Sequence, residues 1–229
     1  MKTIVLSLGG SIVAPDSVDT ALLTSFKEAI VSYLEKDEER RIILVVGGGA
    51  PARIYQKAVK IVNENIDNKS LDWIGIRATR LNAEMVRASF EPYSEKEIVT
   101  DPTADFSFEK RVLVASGWKP GFSTDTDAVY LAKRFGSSTV VNLSNIKKVY
   151  TADPKIDRNA KPLDFISWPD FLNMVGSEWN PGANLPFDPV ASKFASDEKM
   201  RVVCMDGRNI ENLMAFLEGK SFEGTTISF

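Results

Sequence analysis

Two short apolar runs in the first fifty residues each end in a cluster of glycines. Residues 4–8 (Ile-Val-Leu-Ser-Leu) lead into residues 9–11 (Gly-Gly-Ser), and residues 42–46 (Ile-Ile-Leu-Val-Val) lead into three glycines at 47–49. A β-branched run that stops at glycines before a helical pattern predicts a strand, a turn and a helix, with bare backbone N–H groups at the C-terminal edge of a sheet. Phosphate groups bind at such places. One such turn alone is equally typical of a tight connection, but two of them predict two bound phosphates.

Strand-like and helix-like patterns alternate along the rest of the chain. This alternation predicts an α/β fold in which helices cover a mainly parallel sheet, within one domain of residues 1–229. Asp16 or Ser17 is the expected cap of the first long helix, and Ser123 or Thr124 that of a later one. Strands are predicted near residues 4–8, 42–46, 111–115, 138–143 and 200–205, with a final edge strand at 225–227, and helices over 21–34, 52–65, 71–90 and 210–217, with others beginning near 123, 167 and 188.

Composition and charge exclude several classes of protein. The formal net charge is -3 and the 28 Lys and Arg residues are spread along the chain, so no basic stripe indicates nucleic-acid binding. Met1 leads directly into a strand pattern without a signal-peptide pattern, and no apolar run has membrane-spanning length, which predicts a cytoplasmic protein without a membrane partner. The single cysteine, Cys204, lies in an apolar run and is expected to be a buried strand thiol.

The chain contains no histidine. This absence excludes histidine-based catalytic triads, histidine metal sites and imidazole proton shuttles. The remaining chemistry belongs to carboxylates, lysines, backbone amides and a hard cation such as Mg²⁺. Neither a dinucleotide-binding fingerprint (G-x-G-x-x-G) nor a P-loop is present. The candidate groups at predicted strand ends and helix starts are Arg53, Lys119, Asp125, Asp127, Asp153, Asp188 and Lys193.

Six short motifs follow one another along nearly the whole chain. They are Leu-Gly-Gly-Ser at 8–11, Val-Gly-Gly-Gly at 46–49 with Ala52-Arg53, Asp-Trp-Ile-Gly-Ile at 72–76 with Ala-Thr-Arg-Leu-Asn-Ala at 78–83, Pro-Gly-Phe-Ser-Thr-Asp at 120–125, Asn145 with Val-Tyr-Thr-Ala-Asp-Pro-Lys at 149–155, and Asp188-Pro189 with Ala191 and Lys193. This ordered set resembles the amino-acid-kinase superfamily and, within it, the archaeal-type uridylate (UMP) kinases.

The resemblance implies a three-layer αβα sandwich and transfer of the γ-phosphoryl group of ATP, bound with Mg²⁺, to UMP. It also implies an acceptor-binding part near residues 1–135, an ATP-binding part near 136–229, and a homo-oligomer, commonly a hexamer built as a trimer of dimers. Phosphoryl transfer needs two nucleotides held in line and the charge of the transferred group neutralised. Two facing glycine turns suit this task, because backbone N–H groups then approach phosphate oxygens without an intervening Cβ.

Carried over residue by residue, the resemblance assigns a candidate site. Asp125, Asp188 and Lys193 would be the catalytic residues, and no protein residue is assigned as a metal ligand. Asp125 is also explained by the helix dipole alone, since it lies in a first helical turn. ATP would contact Gly9, Gly10, Ser11, Gly49, Arg53, Ser144, Asn145, Tyr150 and Asp153. UMP would contact Gly48, Asp72, Lys119, Pro120, Gly121, Phe122, Ser123 and Thr124.

Several positions depart from the family pattern. Ser7 stands where many members carry a lysine, Ala-Pro at 50–51 replaces a common Lys-Leu, and Lys-Lys at 147–148 replaces Asp-Gly. Residues 177–186 are bulkier and richer in proline than the corresponding family stretch, and are expected to be mobile. Two alternatives therefore stay open. One is a diverged protein that binds nucleotide or another oxyanion without transferring phosphate, and the other is a kinase for another small acceptor such as carbamate, acetylglutamate or aspartate.

Overall fold

The computed structural model describes residues 2–154, 156–176 and 185–229. Within these ranges the strands are β1 (Lys2–Leu8), β2 (Arg40–Val46), β3 (Val112–Ala115), β4 (Thr139–Ser144), β5 (Phe165–Ser167), β6 (Arg201–Asp206) and β7 (Thr225–Ser228). The helices are α1 (Gly10–Val13), α2 (Thr20–Glu35), α3 (Gly49–Val62), α4 (Asn68–Ser89), α5 (Thr124–Arg134), α6 (Trp168–Val175), α7 (Pro189–Asp197) and α8 (Ile210–Leu217). None of the helices in the described ranges is both long and apolar enough to cross a membrane.

The strands form one sheet in the order β3-β2-β1-β4-β6-β7-β5. Its pairings are parallel except that of β6 with β7. β1 lies between β2 and β4, with Leu8 beside Val46 on one side and beside Leu143 on the other. The chain proceeds from β1 to β2 and β3 and then crosses back to β4, so the strand order reverses at β1. Ligands of open α/β sheets bind outside the C-terminal ends of the strands at such a switch point.

Both faces of the sheet are covered by helices. On one face, Val5 and Val140 pack in a cluster with residues of α5, α6 and α7. On the other face, Leu6 and Val141 pack with residues of α2, α4 and α8. The interior strands β2 and β6 each carry a continuous run of buried apolar residues, as expected for strands covered on both faces. The predicted three-layer αβα sandwich on a mainly parallel sheet is therefore confirmed.

Polar caps set where the helices begin. Ser123 caps α5, in agreement with the prediction of Ser123 or Thr124, and Asp188 caps α7, which was predicted to begin near residue 188. Each side chain accepts a hydrogen bond from a backbone N–H of the first turn. The cap of α2 is Asp19, so the prediction of Asp16 or Ser17 is wrong. The short helix α1 and a bend at residues 15–17 carry the chain farther before α2 begins. α3 likewise begins at residue 49, three residues before the predicted start, because the second glycine turn is its first turn.

The last strands of the sheet differ from the sequence prediction. β7 was expected at an edge, but it lies between β6 and β5. β5 was not predicted, since a three-residue strand offers too short an alternation to recognise. In the segment between β4 and β5, Tyr150 forms an antiparallel bridge with Pro162. Most of the stretch expected to be mobile, residues 177–184, lies outside the described residues.

Candidate active site

The two glycine turns lie in direct backbone contact at the C-terminal ends of β1 and β2. The N–H of Gly47 donates to the carbonyl of Leu8 at 2.9 Å, so the strand pairing continues into the turns. A Cβ atom on Gly10 would lie 2.0 Å from the backbone nitrogen of Gly49, and a Cβ on Gly47 would lie 2.4 Å from that of Gly10. A side chain at either position would separate the turns. The packing of one turn on the other therefore requires glycine there, whatever ligand the turns bind.

Helix α3 begins inside the second turn and directs its N-terminus to the same edge. Gly48 precedes the helix without a side-chain cap, and Gly49 has a φ of 62°, in the left-handed region that glycine favours. The first N–H groups of a helix have no partner within it, and the helix dipole gives this end a partial positive charge. Pro51 fits the first turn because no helical N–H bond is lost there. The N–H of Ala50 already donates to the carbonyl of Ala14 at 2.8 Å, so this end of α3 offers an anion its dipole and the N–H groups of Gly48 and Gly49.

Two buried polar residues of α4 hold the surrounding turns. Asn82 Nδ2 donates to the carbonyls of Gly47 and the next residue at 2.9 and 3.0 Å. Thr79 Oγ1 accepts from the N–H of Gly117, in the loop after β3, at 2.8 Å. Neither residue was predicted as part of the site. The sequence does contain a signal for them. They are polar residues three positions apart on a helix face that otherwise carries Ile76 and other buried apolar residues, which indicates a buried polar contact.

The structure brings Asp125 and Asp188 together from the starts of α5 and α7. Ser7 Oγ donates to Asp125 Oδ1 at 2.9 Å, and the backbone N–H of Asp188 donates to Asp125 Oδ2 at 3.3 Å. Asp188 Oδ1 accepts from the N–H of Ala191 at 2.7 Å. Its other oxygen, Oδ2, is buried and has no hydrogen-bond partner in the part of the chain that the structure describes. Two carboxyl groups thus meet beside the first glycine turn.

Burial determines the proton affinity of these carboxyls. It raises the pKa of Asp125 to about 7, with the charge of Asp188 as a second cause, while the hydrogen bond from Ser7 opposes the rise. Burial also raises the pKa of Asp188, against the hydrogen bond from the N–H of Ala191. An anionic Asp125 is therefore held by a hydroxyl and a backbone N–H, and its ionisation falls near neutral pH.

The loop after β3 carries most of the residues predicted to contact UMP. Asp72 Oδ2 accepts from the N–H of Gly121 at 3.0 Å and so ties α4 to this loop. Lys119 Nζ lies 3.6 Å from the ring centre of Trp118 and 4.9 Å from that of Phe122, as cation–π contacts. Pro120, Ser123 and Thr124 complete the same loop and the start of α5. The loop presents one exposed cation and two half-buried rings beside the acids.

The residues predicted to contact the ATP nucleoside lie at the end of β4 and in the loop that follows it. Ser144 ends β4, and its Oγ is buried without a partner among the described residues. The carbonyl of Asn145 accepts from Arg208 Nη2 at 3.4 Å, which places an arginine at this edge that the sequence did not predict. Tyr150 is half-buried, and Asp153 lies in the same loop. Gly9, Gly10 and Ser11 lie next to this edge, since β1 pairs with β4.

The two cations assigned to phosphate binding have other partners. Arg53 is exposed, and its Nη2 donates to the carbonyl of Pro15 at 2.7 Å. Lys193 Nζ lies 3.0 Å from both carboxylate oxygens of Asp197, one turn farther along α7. The structure therefore does not bring Lys193 to Asp125.

The departures from the family pattern have local structural explanations. Ser7 is 2% exposed and places a neutral hydroxyl, not an ammonium group, against Asp125. Ala50 is 5% exposed, so its position has little space for a longer side chain. Lys148 forms an ion pair with Asp164. None of these positions supplies the missing positive charge to the Asp125 carboxyl.

Cys204 agrees with its prediction. It lies on β6 with no exposed surface, and burial strongly raises the pKa of its thiol. A thiol that stays protonated is a poor nucleophile. The side chain therefore serves as part of the core.

Similarity to known proteins covers the whole chain. The uridylate kinase of Thermoplasma acidophilum is 35% identical over 237 residues, covering 99% of this chain and 96% of that protein. The uridylate kinase of Methanocorpusculum labreanum is 31% identical over 230 residues, covering 99% of this chain and 96% of the relative. Both similarities extend over nearly the full length of each protein.

Solved structures show the same fold. The crystal structure of uridylate kinase from Archaeoglobus fulgidus matches with a TM-score of 0.81 and 31% identity, covering all of both chains. The UMP kinase of Bacillus anthracis matches with a TM-score of 0.77 at 20% identity, covering 99% of this chain and 96% of that one, which is evidence for the fold alone. Residues 2–206 match the family model for amino acid kinases. By its sequence, its sheet order and the pair of glycine turns, the chain belongs to the amino acid kinase family.

Proposed function

We propose that this protein is a uridylate kinase that transfers the γ-phosphoryl group of ATP to UMP, giving ADP and UDP in the synthesis of pyrimidine nucleotides. The observation that carries the proposal is the contact between the two glycine turns beside Asp125 and Asp188. Backbone N–H groups at two adjacent strand ends suit two phosphates held close together, which in-line transfer requires. The full-length similarity to uridylate kinases supports UMP as the acceptor.

The proposed transfer needs no protein base. The phosphate of a nucleoside monophosphate is mostly ionised at neutral pH, because its second pKa is about 6. One of its oxygens attacks the γ-phosphorus of ATP, and the bond from that phosphorus to the β,γ-bridging oxygen breaks, so that ADP leaves with the electron pair. Asp125 and Asp188 would orient the phosphates and would not remove a proton. Such a reaction suits a chain without histidine.

Magnesium is part of the proposal as the ion carried by the ATP phosphates. Mg²⁺ in phosphoryl-transfer sites is commonly held by one or two carboxylates together with phosphate oxygens and water. The pair of Asp125 and Asp188 fits this donor set, since Asp188 Oδ2 is buried and has no partner in the described ranges. Bound magnesium would neutralise charge on the transferred group. Asp125 and Asp188 would orient the phosphates that carry it.

The remaining assigned residues would divide between the two nucleotides. Gly9, Gly10 and Ser11 would hold ATP phosphates, with Ser144, Asn145, Tyr150 and Asp153 around its nucleoside. Gly48, Asp72 and the loop of residues 119–124 would hold UMP, while Gly49 and Arg53 lie between the two. Arg53 and Lys119 are exposed and could turn to an anion. Lys193 would have to leave Asp197 to contribute, which costs little because both side chains are exposed.

A coupled assay of ADP release over UMP, CMP, GMP and AMP tests the proposal. We expect turnover with UMP far above that with the other acceptors, and a loss of at least about 100-fold in turnover for Asp125→Asn. Asp170→Asn is the matched control, because Asp170 also lies in a first helical turn but is exposed, and its carboxylate accepts from the hydroxyl of Ser167. No turnover with any acceptor at millimolar concentration would overturn the proposal. Thermal stabilisation by ATP or UMP without turnover would instead support the binding protein considered above.

We further propose that the protein works in the cytoplasm as a homo-oligomer whose contact face lies on α3 and α4. Among the described residues, exposed large apolar side chains are concentrated there, at Ile54, Tyr55, Ile61, Val62, Trp73 and Leu81. Exposed apolar patches of this kind mark interaction surfaces, and a second copy of the chain buries them symmetrically. Light scattering of Leu81→Lys should show smaller particles than wild type. Val18→Lys, at an exposed apolar position outside α3 and α4, should leave the mass unchanged. A wild-type protein that is monomeric in solution would contradict the proposed homo-oligomer.

A further inference from the structure

Two ionisable side chains hold opposite sides of one residue in the loop after β3. Asp127 Oδ2 accepts from the backbone N–H of Trp118 at 3.2 Å, and Arg80 Nη2 donates to the carbonyl of Trp118 at 3.3 Å. Asp127 lies on α5 and Arg80 lies on α4. The two helices therefore hold the loop through polar groups of its main chain. The N–H groups of Gly117 and Gly121 also donate to Thr79 and Asp72 of α4.

Packing alone does not explain Asp127. Its side chain has no exposed surface, and its Oδ1 has no hydrogen-bond partner within the described residues. Ala128 and Leu131 on the same helix are fully buried and apolar. A valine at 127 would fill this space without the cost of burying a carboxyl. The bond to Trp118 is the interaction in the described structure that a valine could not replace.

Arg80, on the other side of the loop, also has a buried polar atom that packing alone does not explain. Its Nε is buried without a partner in the described part of the chain, and burial lowers the pKa of its guanidinium. The neighbouring charge that acts on it is Arg77, which also lowers the pKa. The bond to the Trp118 carbonyl thus partly replaces the water that the guanidinium has lost.

The position of Trp118 determines where the functional part of the loop lies. Its ring packs against Phe122 with centroids 5.0 Å apart and against Tyr130 of α5 at 6.1 Å, and Lys119 Nζ lies over it. A shift of the Trp118 main chain would therefore move Lys119 and Phe122 together. Both residues are assigned to the UMP site.

We propose that Asp127 and Arg80 are positioning residues for the acceptor nucleotide, which hold the main chain at Trp118 and thereby place Lys119 and Phe122 against UMP. This inference rests on the proposed function for the identity of the acceptor. Both side chains bond to the main chain of Trp118, so they would act through the loop. Their removal should affect acceptor binding and leave ATP binding intact, since the hydrogen bonds described above tie this loop to α4 and α5, whereas the predicted ATP residues follow β1 and β4.

Steady-state kinetics with UMP and ATP varied separately test the inference. Asp127→Val removes the acceptor atom at similar volume, and we expect the KM for UMP to rise about tenfold, with the KM for ATP within about twofold of wild type. Asp127→Asn keeps an oxygen that accepts from Trp118 and should restore a near-normal KM for UMP. Thr126→Val is the matched control, because Thr126 is buried on the same helix and its Oγ1 has no partner among the described residues.

A second variant keeps the test decisive if Asp127→Val does not fold. Arg80→Met should raise the KM for UMP in the same way, and the double variant should show less than the product of the two single effects, because both act on Trp118. An unchanged KM for UMP, or an equal rise in both KM values, overturns the inference. If wild type does not phosphorylate UMP, the proposed function fails. In that case, the UMP affinities of the same variants, measured by calorimetry, test the positioning role separately. Absence of UMP binding to wild type overturns that role.

Discussion

Replacing Gly10 by alanine tests whether the two glycine turns must touch. The new Cβ would lie 2.0 Å from the nitrogen, 2.5 Å from the Cα of Gly49 and 2.9 Å from the carbonyl carbon of Gly48, all of them main-chain atoms. Since such contacts below 3.0 Å are essentially never observed, the turns must separate by about 1 Å. Overpacking of this kind costs about 1–3 kcal/mol, and loss of the bond from Gly47 to Leu8 adds about 1 kcal/mol.

A total near 3 kcal/mol corresponds to a fall in Tm of roughly 6–12 °C for a chain of this size. Circular dichroism melts of wild type and Gly10→Ala measure this fall, and the coupled assay should show a large loss of turnover in the same preparation. Gly75→Ala is the matched control, because its Cβ would meet only the end of the Gln56 side chain, and alanine within a helix adds up to about 1 kcal/mol of stability. A Gly10→Ala protein that melts within about 2 °C of wild type and keeps full turnover would refute the reasoning.

Three further predictions concern the acids and Lys193. Ser7→Ala removes a hydrogen bond that lowers the pKa of Asp125, so the acid limb of kcat/KM should move to higher pH, and an unmoved limb would contradict this role. The pKa of Asp125 is about 7 in the folded state and 3.8 ordinarily, so the folded state binds more protons between these pH values. The free energy of unfolding should therefore fall as pH rises from about 4 to about 7. Urea titrations at several pH values should show a smaller fall for Asp125→Asn than for wild type. If Lys193 is catalytic, Lys193→Met should lower kcat about tenfold, whereas Lys133→Met, which breaks a similar exposed ion pair with Glu198, should not.

Local features of the fold could be predicted because they depend on neighbouring residues. The strand–glycine–helix units at 4–11 and 42–49, the caps Ser123 and Asp188, and the buried Cys204 follow from short patterns, and the structure contains each of them. The prediction of strands failed where the pattern in the sequence was too short, or where the position of a strand depends on which strands it pairs with. β5 has three residues, and the neighbours of β7 depend on the whole order of the sheet.

The chemical character of the site depends on contacts between distant parts of the chain. Ser7 and Asp125 are 118 residues apart, and their hydrogen bond explains what a serine does at a position where a lysine was expected. Asn82, Thr79 and Arg80 entered only as members of a motif, yet they hold the second glycine turn and the loop after β3. Side-chain partners of this kind are not visible in spacing along the sequence.

By itself, the sequence determined the alternation of strands and helices, the two glycine turns and a chemistry without imidazole, because each depends on residue type and on neighbours within a few positions. The tertiary structure decided that the turns touch through their main chains and that Asp125 lies beside Asp188 with a pKa near 7. It also decided that Lys193 faces Asp197. Burial and charge proximity arise only when the sheet brings separate strand ends together, so no local pattern contains them.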